Sequence, residues 1–277
     1  MRCVPLSFIS AFAICFIASQ IVLAQSNPEN ASVTKPLQRN DPNSVLAHQQ
    51  LINKTTQGQI DIYFVGDSIT RRWGATDYPH FLAHWNKSFY GWNAANFGWG
   101  GDTTHNILWR MLNGEFEELS PKVIVLQAGT NNLPRSGIAG KEQVDEIVSS
   151  IKSITDVFHR KAPSAAIVIT GVFPRTQNRD LQSAIEQINK QIASFADGKK
   201  IRFLSINDQL ANAEGKLLDG MSSDGLHLEI SGYEVWAAAL KPIFTELLGP
   251  PSTEDKSPPP TGDPSAIAKG AKPAPTK

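Results

Sequence analysis

The sequence predicts an α/β domain built on a five-stranded parallel sheet with helices on both faces. Three observations lead there. Five apolar runs of strand length are nearly continuous rather than alternating, as strands buried on both faces are. Amphipathic stretches of helical period separate the later runs, and strands alternating with helices imply parallel pairing. The chain has 277 residues, which suits a single core of about 150–250 residues.

The first 24 residues stand apart from that core. Arg2 supplies a short basic start, an apolar stretch follows, and Val22-Leu23-Ala24 offers small residues to a signal peptidase. A signal peptide cut after Ala24 is expected. A membrane anchor would need about 18–20 clean apolar residues, and Ser10 and Ser19 interrupt this run. The expected location is therefore secreted or periplasmic, with no membrane tether. Cys3 and Cys15 both lie in this segment, so a mature chain would carry no disulfide and no cysteine metal site.

Residues 25–58 read as a polar arm followed by a short helix over "VLAHQQLINKTTQG", ended by Gly58. The strands are "IDIYFV", "NAANFG", "KVIVLQA", "AAIVITG" and "IRFLSI". Between the third and fourth, Val144, Ile147, Val148, Ile151, Ile154, Val157 and Phe158 recur at three- and four-residue steps, the stripe of a core-facing helix. Leu181, Ile185, Ile188 and Ile192 repeat that pattern before the fifth strand, and "SGYEVWAAALKPIFTELL" closes the domain with Pro242 expected to bend it. The domain thus spans 59–248. The Pro-, Lys- and Ala-rich residues 249–277 cannot bury apolar surface and read as a disordered tail.

Lys plus Arg equals Asp plus Glu, 26 of each. No excess positive charge points to nucleic acid or to an anionic membrane surface. Chemistry is instead expected at the carboxyl ends of the strands, where open parallel sheets bind ligands. The first strand ends in "VGDSIT", which puts Ser68 there. A serine hydroxyl needs a base, an acid to orient the base, and donors for the oxyanion.

The other loops offer such groups. After the second strand, "NFGWGGDTT" carries Gly98, Gly100 and Gly101, a tight turn with backbone N–H groups before a helix start. A dinucleotide loop would want G-x-G-x-x-G after the first strand, and here the last position is Thr103. After the third strand, "GTNN" offers Asn131, although Gly and Asn also serve plain turns. Before the last helix, "DGLH" sets Asp224 three residues ahead of His227, which suits an acid–base pair and equally a capped surface loop. Taken singly each is modest, but all four fall on one face of the sheet. His80 and His84, with His105, would be the zinc alternative, without a His-Glu-x-x-His motif. Trp73 and Trp99 are candidates to line a substrate pocket. Asn30, Asn53 and Asn86 stand in N-x-S/T sequons.

"VGDSIT", "NFGWGGDTT", "GTNN" and "DGLH", in this order, resemble the four blocks of the SGNH hydrolases, also called the GDSL family. Blocks two and three, with Leu108-Trp109-Arg110, are similar to those of platelet-activating-factor acetylhydrolase catalytic subunits. The resemblance covers about Ile60 to Leu248, and the family's usual Leu after Gly-Asp-Ser is Ile69 here. It implies a flavodoxin-like three-layer sandwich, with Ser68 as nucleophile, His227 as base and Asp224 orienting it. It implies an oxyanion hole of the Ser68 and Gly101 amides and the Asn131 side chain. Asp67 would brace the loop, and neither cofactor nor metal is implied. The substrate stays open among three classes: a short acyl ester, such as acetyl on a glycan; a lipid ester; or a ligand merely bound by a fold without chemistry.

Overall fold

The computed structural model describes Met1 and residues 34–268. Residues 2–24 of the expected signal segment, both cysteines, the Asn30 sequon and the last nine residues of the tail lie outside the described residues.

In chain order come α1 (Pro42–Lys54), β1 (Ile62–Gly66), α2 (Ser68–Gly74), α3 (Pro79–Phe89), β2 (Ala94–Asn96), α4 (Thr104–Leu112) and β3 (Val123–Gln127). Then follow α5 (Lys141–Lys161), β4 (Ala166–Thr170), α6 (Gln182–Ala193), β5 (Ile201–Leu204), α7 (Asn207–Leu210), α8 (Ile230–Leu248) and α9 (Pro264–Ala268). The strands pair in parallel in the order β2-β1-β3-β4-β5. This is the flavodoxin-like doubly wound order. From β1 the chain steps to one side to make β2, then crosses back to make β3, so a crevice opens between the carboxyl ends of β1 and β3.

Every residue of β1, β3 and β4 is buried, which is why their sequences do not alternate. Alternate side chains go to opposite layers. Tyr63, Val65, Ile124, Leu126, Ile167 and Ile169 pack with α4, α5 and α6. Ile62, Phe64, Val123, Val125 and Val168 pack with α2, α3 and α8. The apolar stripe expected of α5 is its buried face, except that Val148 is only partly buried. β5 is half-buried, as an edge strand is. α8 continues on both sides of Pro242.

Two parts depart from the sequence expectation. Helix α1 begins at Pro42, earlier than the apolar pattern suggests, because Asp41 caps it by accepting from the Ser44 N–H. The arm before it lies on α4: the Leu37 N–H donates to His105 O, and Asn106 Nδ2 donates to Leu37 O. The tail is the larger correction. Residues 249–263 are not disordered but form an extended strap. The Ser252 N–H donates to Gly91 O, the Gln59 N–H to Lys256 O and the Thr76 N–H to Thr261 O. Asp255 accepts from the Gly91 N–H and Asn93 Oδ1 from the Lys256 N–H. A Pro-rich strand without a core of its own can still be held through its backbone polar groups.

Candidate active site

β1 ends in a crowded turn. A Cβ on Gly66 would collide with Gln127 O of the neighbouring strand and with the Thr70 hydroxyl, so only glycine fits. Asp67 then caps α2: it is fully buried, and its Oδ1 accepts from the Ile69 N–H at 2.9 Å. Burial pushes its carboxyl up to about 7. Asp67 therefore braces the turn, as expected, and does not reach the histidine. Ser68, the first residue of α2, is left at the mouth of the crevice. At seven residues, α2 has too short a dipole to matter much; what it offers is the Ser68 N–H, which has no carbonyl partner within the helix.

The loop before α8 brings the acid and base. His227 Nε2 lies 2.9 Å from Ser68 Oγ, and His227 Nδ1 lies 2.6 Å from Asp224 Oδ2. An Nδ1–H facing the carboxylate leaves the Nε2 lone pair toward the serine. Asp224 Oδ1 accepts from the His227 and Leu226 N–H groups at 2.8 and 2.9 Å. Partial burial raises the Asp224 carboxyl, but these bonds and the imidazole outweigh it and bring it down to about 2. Burial and then the Arg72 charge lower His227 below the ordinary histidine value, against the pull of Asp224. Arg72 Nη1 stands 3.6 Å from Asp224 Oδ2.

The two donor loops face the same point. Gly101 adopts φ +80°, a left-handed conformation costly for other residues. Asn131 sits in the 3₁₀ turn Thr130–Asn132 after β3. Its Nδ2 donates to Asp102 O at 3.0 Å, leaving the second amide hydrogen unspent. Ser68, Gly101, Asn131 and His227 line one cleft of about 620 Å³, together with Leu133, Leu226, Gln177 and two arginines, Arg135 and Arg175.

A buried network that the sequence did not reveal holds the glycine loop. Asp102 and Arg110 are almost wholly buried and bonded at 2.8 Å. Arg110 also pairs with Glu115, which accepts from Tyr63 Oη at 2.7 Å. Burial opposes the Arg110 charge, but Glu115 and Asp102 prevail and keep it protonated. From the arm, Arg39 Nη1 donates to Gly100 O. The signal for Arg110 was the motif Leu108-Trp109-Arg110; for Arg39 there was none.

Both tryptophan candidates need correction. Trp73 is fully buried, stacked on Tyr233 at 4.7 Å with its indole N–H donating to His84 Nδ1. It is core, because α2 turns that position onto the aromatic cluster around Phe64. Trp99 is 8% exposed, donates to Ser44 Oγ and is covered by the Arg71 guanidinium 4.8 Å from its ring. It packs under α1 and does not line the Ser68 cleft. The histidines of the zinc alternative are dispersed: His84 accepts from Trp73, His105 pairs with Glu146 at 3.1 Å, and His80 lies against Phe81.

Comparison with known proteins fits this arrangement. Residues 64–235 match the model of the GDSL-like lipase/acylhydrolase family. The chain is 28% identical over 228 residues to human platelet-activating factor acetylhydrolase IB subunit alpha1, covering 81% of this chain and 92% of that one. In fold it is similar to a GDSL-like lipase from Bacteroides thetaiotaomicron, with TM-score 0.58, 21% identity, and coverage of 73% of this chain and all of the other. An acetyl-xylooligosaccharide esterase from Geobacillus aligns with TM-score 0.51 at 16% identity, over 68% of this chain and 96% of that one. With the family model spanning more than half its length, from inside β1 to the start of α8, the chain belongs to the GDSL-like lipase/acylhydrolase family and is a carboxylic ester hydrolase.

Proposed function

We propose that this chain is an exported serine esterase that hydrolyses short-chain acyl esters, chiefly acetyl esters, through Ser68, His227 and Asp224. The observation that carries the reading is the continuous chain from Ser68 Oγ to His227 Nε2 at 2.9 Å and from His227 Nδ1 to Asp224 at 2.6 Å, opening on a cleft with unspent donors.

His227 takes the Ser68 proton as Oγ attacks the ester carbonyl. Asp224 holds the imidazole in the required tautomer and stabilises the imidazolium. The oxyanion of the tetrahedral intermediate accepts from the Ser68 N–H, the Gly101 N–H and Asn131 Nδ2–H. His227 returns the proton to the alkoxide, the alcohol leaves, and an acyl-enzyme remains. Water, deprotonated by His227, then attacks the acyl carbonyl; the C–Oγ bond breaks as His227 returns the proton to Oγ, and the acid is released with Ser68 restored. Each step is assigned to a side chain or a backbone amide of this chain.

A short acyl group is supported by the small number of aliphatic side chains in the cleft: among the described residues these are Leu133 and Leu226. The human relative is by name an acetylhydrolase, which supports the same acyl group. That relative's name also supports a second reading, a lipid alcohol in place of a glycan. Hydrolysis of p-nitrophenyl acetate, butyrate and octanoate separates these: rates should fall with chain length, and preference for octanoate would favour a lipase. Export rests on residues 1–24. N-terminal sequencing of protein recovered outside the cytoplasm should begin at Gln25. On this reading residues 59–248 are the catalytic domain.

A further inference from the structure

The cleft beside Ser68 holds more positive charge than the proposed esterase chemistry uses. Arg175, in the loop after β4, is 5% exposed. Buried cations are ordinarily paired with carboxylates, and Arg110 in this protein has two such partners. Arg175 has none among the described residues. Its Nη1 donates to the Thr130 carbonyl at 3.1 Å, and among the described residues its buried Nε has no partner and Nη2 makes no hydrogen bond. The charge acting on it is another positive one: burial and then Arg135 disfavour its protonated form. Arg135, from the loop after β3, is exposed, lines the same cleft and pairs with no carboxylate among the described residues. No Asp or Glu lines that cleft, and Asp224 is already engaged by His227 and Arg72. Two guanidinium groups thus line the cleft beside the serine with no carboxylate among the described residues to neutralise them. Anionic oxygen groups are the ligands that planar guanidinium donors match.

We propose that Arg175 and Arg135 form an anion subsite, so that the ester this enzyme takes carries a carboxylate or a phosphate close to the scissile bond. The inference rests on the esterase reading above and narrows its substrate class. Arg175 Nη2 and the Arg135 guanidinium contact the anion, and Arg175 Nη1 stays on Thr130, next to the donor Asn131. Substrate charge replaces the missing counter-ion, so binding relieves the repulsion between the two arginines.

The test compares matched acetyl esters on the full chain: 3-acetoxybenzoate and 3-acetoxyphenyl phosphate against neutral 3-acetoxybenzamide. The readout is the ratio of kcat/KM for each anionic ester to that for the neutral one. In the wild type at low salt at least one ratio should be about 10 or more, as a charge-assisted contact supplies, and it should shrink as salt is added. Whichever anion has the larger ratio identifies the group. Arg175→Met and Arg135→Gln should each cut the ratio about tenfold, and Arg175→Lys should restore part of it. Because Arg175 also braces Thr130, the ratio decides the matter, not the absolute rate, and the exposed Arg135 gives an independent variant. A wild-type ratio near 1 alongside brisk hydrolysis of the amide ester would overturn the subsite and leave the esterase reading standing. Ratios that survive both substitutions would also overturn it. A folded wild type that hydrolyses none of the three would bring down both.

Discussion

Replacing Asn131 by alanine removes one donor from the cleft and one brace from the loop beside it, and the two losses differ in size. The Nδ2 bond to Asp102 O at 3.0 Å is an ordinary neutral hydrogen bond, which contributes about 0.5–1.5 kcal/mol to stability. In a domain of this length that is a fall in Tm of roughly 1–6 °C. The donor role acts only when negative charge develops on the substrate oxygen. Loss of one such donor costs about 10²–10³ in kcat, or about 2.7–4 kcal/mol. Asn131→Ala should therefore remain folded at 25 °C, keep KM for p-nitrophenyl acetate within about threefold and lose kcat by about 10²–10³. Asn131→Asp should lose more, because a carboxylate would meet the oxyanion. Steady-state kinetics beside a thermal melt measure both quantities on the same preparation. A kcat within about threefold of wild type, or a loss confined to KM, would refute the assignment of Asn131 as a transition-state donor.

Three further expectations follow from charge and packing. His227 must be neutral to act as base, and burial and Arg72 lower its pKa, so the acid limb of kcat/KM should lie below pH 6.5, the ordinary histidine value. Arg72→Gln removes repulsion from the imidazolium and should move that limb to higher pH; an unmoved or lowered limb would contradict it. Lys54 is fully buried, donates to Asn96 O at 2.9 Å and is lowered by burial to about 7, against the opposing pull of Glu115. Between that value and 10.5 the unfolded chain binds the extra proton, so this group adds stability as pH rises, by up to about 1.4 kcal/mol per pH unit, and the contribution is lost as pH falls through about 7. Lys54→Met should remove that slope, and urea unfolding at pH 7.5 and 9 would count against it if wild type and variant stayed parallel. Gly66→Ala drives a methyl into Gln127 O and should destabilise by about 1–3 kcal/mol; an unchanged denaturation midpoint would show that the turn is not so confined.

The sheet was legible because both its faces are covered: unbroken apolar runs such as that of residues 123–126 have few other uses in a domain this size. Ser68 stood out by its place at a strand end, and Asp224 and His227 by their spacing before the last helix; the structure brings the three within hydrogen-bonding distance. Side chains with acceptors far along the chain were not. Arg39 reaches Gly100, and Arg175 reaches Thr130, across separations that leave no periodic trace. The strap from Gly249 was misread for the same reason, because composition reports apolar content and cannot report that Gly91, Gln59 and Thr76 pair with its backbone. Trp73 misled because an indole suits a pocket and a core equally, and only its place on α2 decides between them.

The central claim is that Ser68 carries the acyl group, and covalent labelling tests it most directly. The mature protein would be treated with a fluorophosphonate and the modified peptide mapped by mass spectrometry. One phosphonyl group on Ser68, absent in Ser68→Ala and much slower to form in His227→Ala, is the predicted result. A label on another residue, or undiminished labelling and p-nitrophenyl acetate hydrolysis in Ser68→Ala, would contradict the account.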